Sequence, residues 1–171
     1  MDARKSERKL VVEPVGEREI VMTRSLAAPR RLVFEAWTRP EQVARWFGPR
    51  GWTLPLCKID SRVGGAWRYI LQAPDGSKMG MKGICQELIP PERMVSTESF
   101  DDGNDDAPGG ARPLFPGESI NTLTLVERDG VTTLTVHVLY PSREARDGAL
   151  NSGMERGAAE TYDRLEEILA R

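Results

Sequence analysis

The sequence predicts an α+β domain in which a curved antiparallel sheet of about six to seven strands wraps a long C-terminal helix. Three observations point there. One strand-like segment, Glu19 to Leu26, is followed by two short helical segments in series. Residues 52–140 then run as strands with turn chemistry between them. A stripe of apolar residues at spacings of three and four closes the chain.

Met1 to Gly16 is polar and aperiodic, so residues 1–17 read as a flexible tail and 18–171 as a single domain. Glu19 to Leu26, E-I-V-M-T-R-S-L, reads as a strand with imperfect alternation. Ala28-Pro29 stops it, and Pro29 suits a helix start because its missing N–H costs nothing there. Arg30 to Trp37 places Leu32, Val33, Ala36 and Trp37 at helical spacing. Thr38 then reads as the N-cap of a second helix with Pro40 near its first turn. Val43, Ala44, Trp46 and Phe47 turn inward, and Gly48-Pro49 is the stop.

Thr53 to Ile59 is the next strand, and Gly64-Gly65 turns into Ala66 to Leu71, where Trp67, Tyr69 and Leu71 share a face. Pro74-Asp75-Gly76 is a hairpin turn, because proline presets its φ and glycine accepts a positive one. Met79 to Ile89 returns, Pro90-Pro91 breaks it, and Arg93 to Phe100 follows. Asp101 to Gly117 is a long acidic loop rich in glycine and proline. Ile120 to Glu127 and Val131 to Tyr140 form a hairpin across Arg128-Asp129-Gly130. Leu134, Val136, Val138 and Tyr140 alternate with Thr133, Thr135 and His137, giving one buried face and one wet face. Ser142 caps a helix from Arg143 to about Ala170, with Leu150, Met154, Ala158, Thr161, Leu165 and Ile168 as its apolar stripe.

The bulk numbers bound the function. At 171 residues and 39% hydrophobic, the chain can bury one sizeable core. A net charge of −2 supplies no electrostatic reason to bind nucleic acid or an anionic membrane. No apolar run approaches the ~20 residues that span a bilayer, so membrane insertion is not expected. Met1 to Lys9 lacks the apolar segment of a secretory signal, which makes a cytoplasmic location the expectation. Cys57 and Cys85 sit singly in strand-like segments and read as reduced, buried thiols, with a disulfide or a reactive thiol as the alternatives.

The stretch R-L-V-F-E-A-W-T-R-P-E-Q-V-A-R-W-F-G-P-R-G-W, Arg31 to Trp52, resembles the signature of the domain shared with the activator of heat-shock protein 90 ATPase. The similarity continues through Ile59 to Tyr69, Ala73 to Gly76, Pro90 to Arg93 and Gly153 to Gly157, and spans roughly residues 19–170. That domain belongs to the START-like superfamily, SRPBCC, which also holds polyketide cyclases and pollen-allergen lipid carriers. The resemblance implies the helix-grip fold, with a ligand cavity between sheet and helix. Family members include binding proteins, cyclases and many domains of unknown role. The chain departs from the family at Val63, where proline is common, and at Ala158, where tryptophan often follows Gly157. If Ala158 faces the cavity, the exchange leaves space, and Gly153, Gly157, Ala158 and Ala159 would lie opposite the sheet. The alternative is that these small residues only let the helix pack closely.

Little in the sequence points to catalysis. His137 is the only histidine and alternates toward solvent. Asp101, Asp102, Asp105 and Asp106 match no EF-hand spacing and read as a solvated loop. No zinc-type spacing is present, Gly64-Gly65 is no phosphate loop, and Asp60 with Arg62 reads as a structural ion pair. No catalytic residue, metal or cofactor is assigned. The candidates for a ligand cavity are Trp37, Trp67, Tyr69, Met81, Glu98, Tyr140, Met154 and Ala158. The leading expectation is a carrier or sensor for a small hydrophobic molecule. A co-chaperone-like module with a protein partner or as a homodimer would instead show an exposed apolar patch near Trp46-Phe47. A cyclase- or hydrolase-like enzyme would need convergent polar groups such as Tyr69, Glu98 and Tyr140 in the cavity.

Overall fold

The structure, a computed structural model, describes residues 9–104 and 117–170. Its strands are β1 (Val11–Val15), β2 (Glu19–Leu26), β3 (Thr53–Ile59), β4 (Ala66–Gln72), β5 (Lys78–Ile89), β6 (Arg93–Asp101), β7 (Ser119–Arg128) and β8 (Val131–Leu139). They form one curved antiparallel sheet of eight strands in the order β1-β2-β8-β7-β6-β5-β4-β3. Helices α1 (Arg30–Thr38) and α2 (Pro40–Trp46) follow β2, and α3 (Arg143–Asn151) and α4 (Met154–Leu169) close the chain.

The eighth strand is the one the sequence hides. Val11 to Val15 lies in the segment that reads as a tail, yet it pairs with β2 from Val11↔Thr23 to Val15↔Glu19. Val11 and Val15 are exposed and Pro14 interrupts the run, so neither alternation nor composition marks it. As an edge strand it needs a partner on one side only.

Period-two alternation sets the concave face. Ile20, Met22, Arg24 and Leu26 of β2 point inward, as do Thr132, Leu134, Val136 and Val138 of β8. With Leu123 and Leu125 of β7, their apolar members pack on Val33, Phe34, Ala36, Trp46, Tyr162 and Leu165. Each fully buried side chain of this kind contributes about 1.5–3 kcal/mol. A second cluster joins Val43 of α2 to Tyr69, Leu71 and Met81 of β4 and β5. Trp46 sits where the first cluster meets α2, with its indole N–H donating to Ala36 O at 2.9 Å.

Polar anchors place the helices. The buried Arg24 guanidinium lies 2.8 Å from Asp163 Oδ1 and 2.7 Å from Glu166 Oε2, which ties α4 to β2. Arg164 donates to Gly48 O at 2.9 Å and Arg45 O at 3.1 Å, so α4 also closes the C-terminal end of α2. The buried Arg146 of α3 donates to Gly16 O and Glu19 O, both at 3.1 Å, which fixes α3 against the β1–β2 turn.

Three local expectations need correction. Thr38 is not an N-cap: it ends α1 and its hydroxyl donates to Phe34 O at 2.9 Å, while Arg39 is the N-cap of α2. Ala44 faces solvent, because the inward face of a two-turn helix is filled by Val43 and Trp46. The C-terminal helix is broken. Ser142 caps it as expected, accepting from Ala145 N at 3.1 Å. At Ser152-Gly153, however, the chain leaves the helix, with Gly153 left-handed at φ 80°. Leu150 and Met154 keep helical spacing across the break, so apolar periodicity does not reveal it.

A pair of glycine substitutions separates backbone from packing here. An added Cβ meets nothing within 4 Å at either Gly148 or Gly153, but only Gly153 has a positive φ. Gly153→Ala should cost about 1–2 kcal/mol in urea denaturation. Gly148→Ala, inside α3, should gain about 0.5–1 kcal/mol. Equal effects of the two would show that α3 and α4 are continuous.

Candidate functional site: an apolar cavity with one acidic pole

The concave sheet is longer than α4 can cover. Among the described residues, the concave face of the sheet, α1, α3 and the start of α4 line a partly open cavity of about 910 Å³. That volume lies in the range of about 300–1,000 Å³ that takes small molecules. Inward positions on successive strands supply its walls: Trp67 and Tyr69 from β4, Met79, Met81 and Cys85 from β5, Met94, Glu98 and Phe100 from β6. Val136 and Val138 from β8 and Tyr140 beyond it continue the wall, with Met22 from β2 and Asn121 and Leu123 from β7. Trp37 closes one side, Met154 and Tyr162 descend from α4, and Ala145, Gly148 and Ala149 of α3 form part of the roof.

The aromatic rings form a connected set. Trp37 lies 4.8 Å from Trp46 and 5.8 Å from Tyr162, measured between ring centroids. Phe47 lies 5.0 Å from Tyr69, and Tyr69 lies 4.8 Å from Trp67. These contacts hold the rings as a preformed wall.

Glu98 is the polar exception. Its Oε2 accepts a hydrogen bond from Asn121 Nδ2 at 2.7 Å across the β6–β7 pair. Burial pushes its carboxyl up to about 7, partly opposed by that hydrogen bond. The Glu98 charge also reaches the tyrosines. Burial first, then Glu98, pushes Tyr140 up to about 12 and Tyr162 well above the usual phenol range. Tyr69 is raised by burial, then by Cys57 and Glu98. All three phenols stay protonated at neutral pH. Two buried polar atoms in the cavity wall, Trp67 Nε1 and Asn121 Oδ1, have no hydrogen-bond partner among the described residues.

Of the candidates read from the sequence, Trp37, Trp67, Tyr69, Met81, Glu98, Tyr140 and Met154 stand on the wall of this cavity. Ala158 does not. Its methyl group packs against the main core, between Met154 and Tyr162 on the helix. The run of small residues also serves other ends: Gly153 makes the helix break, and a Cβ at Gly157 would meet Pro49 at 3.5 Å. The space comes instead from the curve of the sheet and the shortness of α3. Sequence reasoning missed Asn121 and Tyr162. Asn121 shares the inward register with Leu123 and Leu125, so its polar side chain at a core position was the available signal.

The remaining motifs resolve plainly. Cys57 and Cys85 are free, and burial pushes the Cys57 thiol up to about 11. His137 lies on the outer face, 3.4 Å from Glu19 Oε1. Asp60 and Arg62 form an exposed ion pair at 2.8 Å. Asp101 is not loop-like: it is fully buried at the end of β6, 3.0 Å from Arg68 and over Gly80, where no Cβ would fit. Asp105 and Asp106 lie outside the described residues. Trp46 is fully buried and Phe47 partly so, hence the expected apolar patch is absent from that surface. Among the described residues, no three His, Cys, Asp or Glu side chains group as a metal site. No helix there is long and apolar enough to cross a membrane.

A curved antiparallel sheet around a C-terminal helix, with a cavity between them, defines the helix-grip, START-like class. The chain belongs to the family described as Activator of Hsp90 ATPase homolog 1-like protein, which matches residues 27–170. No curated protein matches it by sequence. A solved protein from Rhodobacter sphaeroides is 28% identical, with TM-score 0.81 over 95% of this chain and 98% of its own. One from Nitrosomonas europaea is 26% identical, with TM-score 0.77 over 92% and 97%. The AHSA1 protein of Silicibacter pomeroyi is 20% identical, with TM-score 0.69 over 89% and 97%, and shares the fold.

The raised Glu98 carboxyl has a consequence for stability. Between the ordinary carboxyl value of 4.5 and about 7, the unfolded chain ionises while the folded one stays protonated. Stability therefore falls as pH rises through that window, by at most roughly 3 kcal/mol. Glu98→Gln should flatten this slope and stabilise the protein at pH 8 relative to wild type, with little difference at pH 4. Denaturant titrations at the two pH values measure it; parallel pH profiles would place Glu98 in water.

Proposed function

We propose that the protein binds a small hydrophobic molecule in this cavity, as a carrier or sensor. The observation that carries the reading is the cavity of about 910 Å³, whose wall is mostly apolar and rich in aromatic, methionine and aliphatic side chains. Rigid rings offer flat apolar contact, and the methionines adapt to irregular outlines at little cost. Membership of the family and the helix-grip fold support the reading without identifying the ligand.

A second reading, a cyclase- or hydrolase-like enzyme, draws on Glu98 with Tyr69 and Tyr140 beside it. A carboxyl pushed up to about 7 is poised for general acid–base work at neutral pH. Under that reading, Glu98→Gln abolishes turnover of whatever substrate is found.

Binding is tested by a thermal-shift screen of lipids and aromatic metabolites. A ligand at ~100 Kd should stabilise the fold by about 2.7 kcal/mol. Val138→Trp, which puts an indole into the cavity from β8, should weaken any hit at least about tenfold through lost volume. A hit unaffected by this variant binds elsewhere, and the absence of any shift across a broad library would remove the carrier reading.

A further inference from the structure

The reading of the cavity as a ligand site can be taken further, to the charge of the ligand. Among the described residues the cavity wall contains no lysine, arginine or histidine. Its ionisable carboxylates are Glu98 in the interior, with Glu144 of α3 and Asp60 after β3 also on the lining. The cations nearest in the fold are committed elsewhere. Arg24 is held by Asp163 and Glu166, Arg146 by Asp147 and backbone carbonyls, and Arg68 by Asp101. Asp60 is already paired with Arg62 and Glu144 is exposed, which leaves Glu98 as the interior carboxylate with no cationic partner among the described residues.

The hydrogen-bonding capacity points the same way. Asn121 donates one amide N–H to Glu98, which leaves the rest of that carboxyl's acceptor capacity to a ligand. An ionised carboxylate is acceptor-only. Glu98 therefore offers acceptor oxygens and negative charge, and the same cavity wall carries the rings of Trp37, Trp67, Tyr69, Tyr140 and Tyr162, whose faces attract cations, with the Trp67 indole N–H as an unpartnered donor. An anionic head group, such as a fatty carboxylate, would add a second negative charge in a poorly solvated space whose described wall carries no cation to neutralise it.

We propose that the cavity selects a lipophilic amine, an apolar body bearing one protonated nitrogen that pairs with the Glu98 carboxylate. The tyrosine and tryptophan rings hold the apolar body and the faces of the cation, and the methionines accommodate its outline. The cost of burying the ammonium is offset by a carboxylate that has no cation beside it among the described residues. Glu98, whose carboxyl sits at about 7 without ligand, loses its proton on binding and becomes a paired ion.

Three probes that share one apolar body test this: 1-naphthylmethylamine, 1-naphthylmethanol and 1-naphthoate, titrated by calorimetry into the full chain at pH 7.5. The amine should bind at least about tenfold tighter than the alcohol, and the carboxylate weaker than both. Glu98→Gln keeps the side-chain shape and a partner for Asn121, and it should bring the amine-to-alcohol affinity ratio close to one. An alcohol that binds as tightly as the amine would overturn the charge preference while leaving the cavity reading intact. An amine preference that survives Glu98→Gln would overturn the assignment to Glu98. If none of the three binds, the cavity reading falls together with this one.

Discussion

One buried arginine decides where the long helix lies. Arg24 occupies an inward position of β2, between Met22 and Leu26, where alternation calls for an apolar side chain. A guanidinium there is tolerable only if carboxylates come to it, and Asp163 and Glu166 of α4 do so at 2.8 and 2.7 Å. This clamp holds α4 near β2, where Tyr162 and Leu165 join the core built by β2, β7 and β8. The β4–β6 half of the concave face is left for other elements to cover. The cavity is the consequence of that asymmetry.

The break at Gly153 completes it. A continuous helix from Ser142 would run straight, but the left-handed glycine lets α3 take its own direction, anchored by Arg146 to the β1–β2 turn. α3 thereby contributes to the roof with small residues, Ala145, Gly148 and Ala149, which do not fill the space beneath. Packing on one half of the sheet and room on the other thus arise from two short stretches of the C-terminal segment.

Much of this was legible in the sequence, because alternation and helical spacing are local signals. The inward faces of β4 and β8 follow from Trp67-Tyr69-Leu71 and Leu134-Val136-Val138, and the cavity candidates Trp67, Tyr69 and Tyr140 follow from those faces. What stayed hidden depends on contacts distant in sequence. Arg24 appeared only as a flaw in the β2 pattern, since its partners lie well over a hundred residues away. Val11 to Val15 becomes a strand only because β2 offers an edge. Ala158 shares the helical stripe of Met154, but whether that stripe meets core or cavity is set by the clamp. Asp101 carried the signature of a loop and is buried by Arg68 and by the missing side chain at Gly80.

A carboxyl in an apolar cavity is expensive, and Asn121 is the hydrogen-bond partner of Glu98 among the described residues. The whole account, from the clamp at Arg24 to a cavity with an acidic pole, requires that Glu98 sit away from bulk water. Carbon-detected NMR titration of the Glu98 carboxyl in the ligand-free protein measures this directly. The account predicts a midpoint near 7. A midpoint near the ordinary 4.5 would mean that water reaches the carboxylate and that no dry cavity surrounds it.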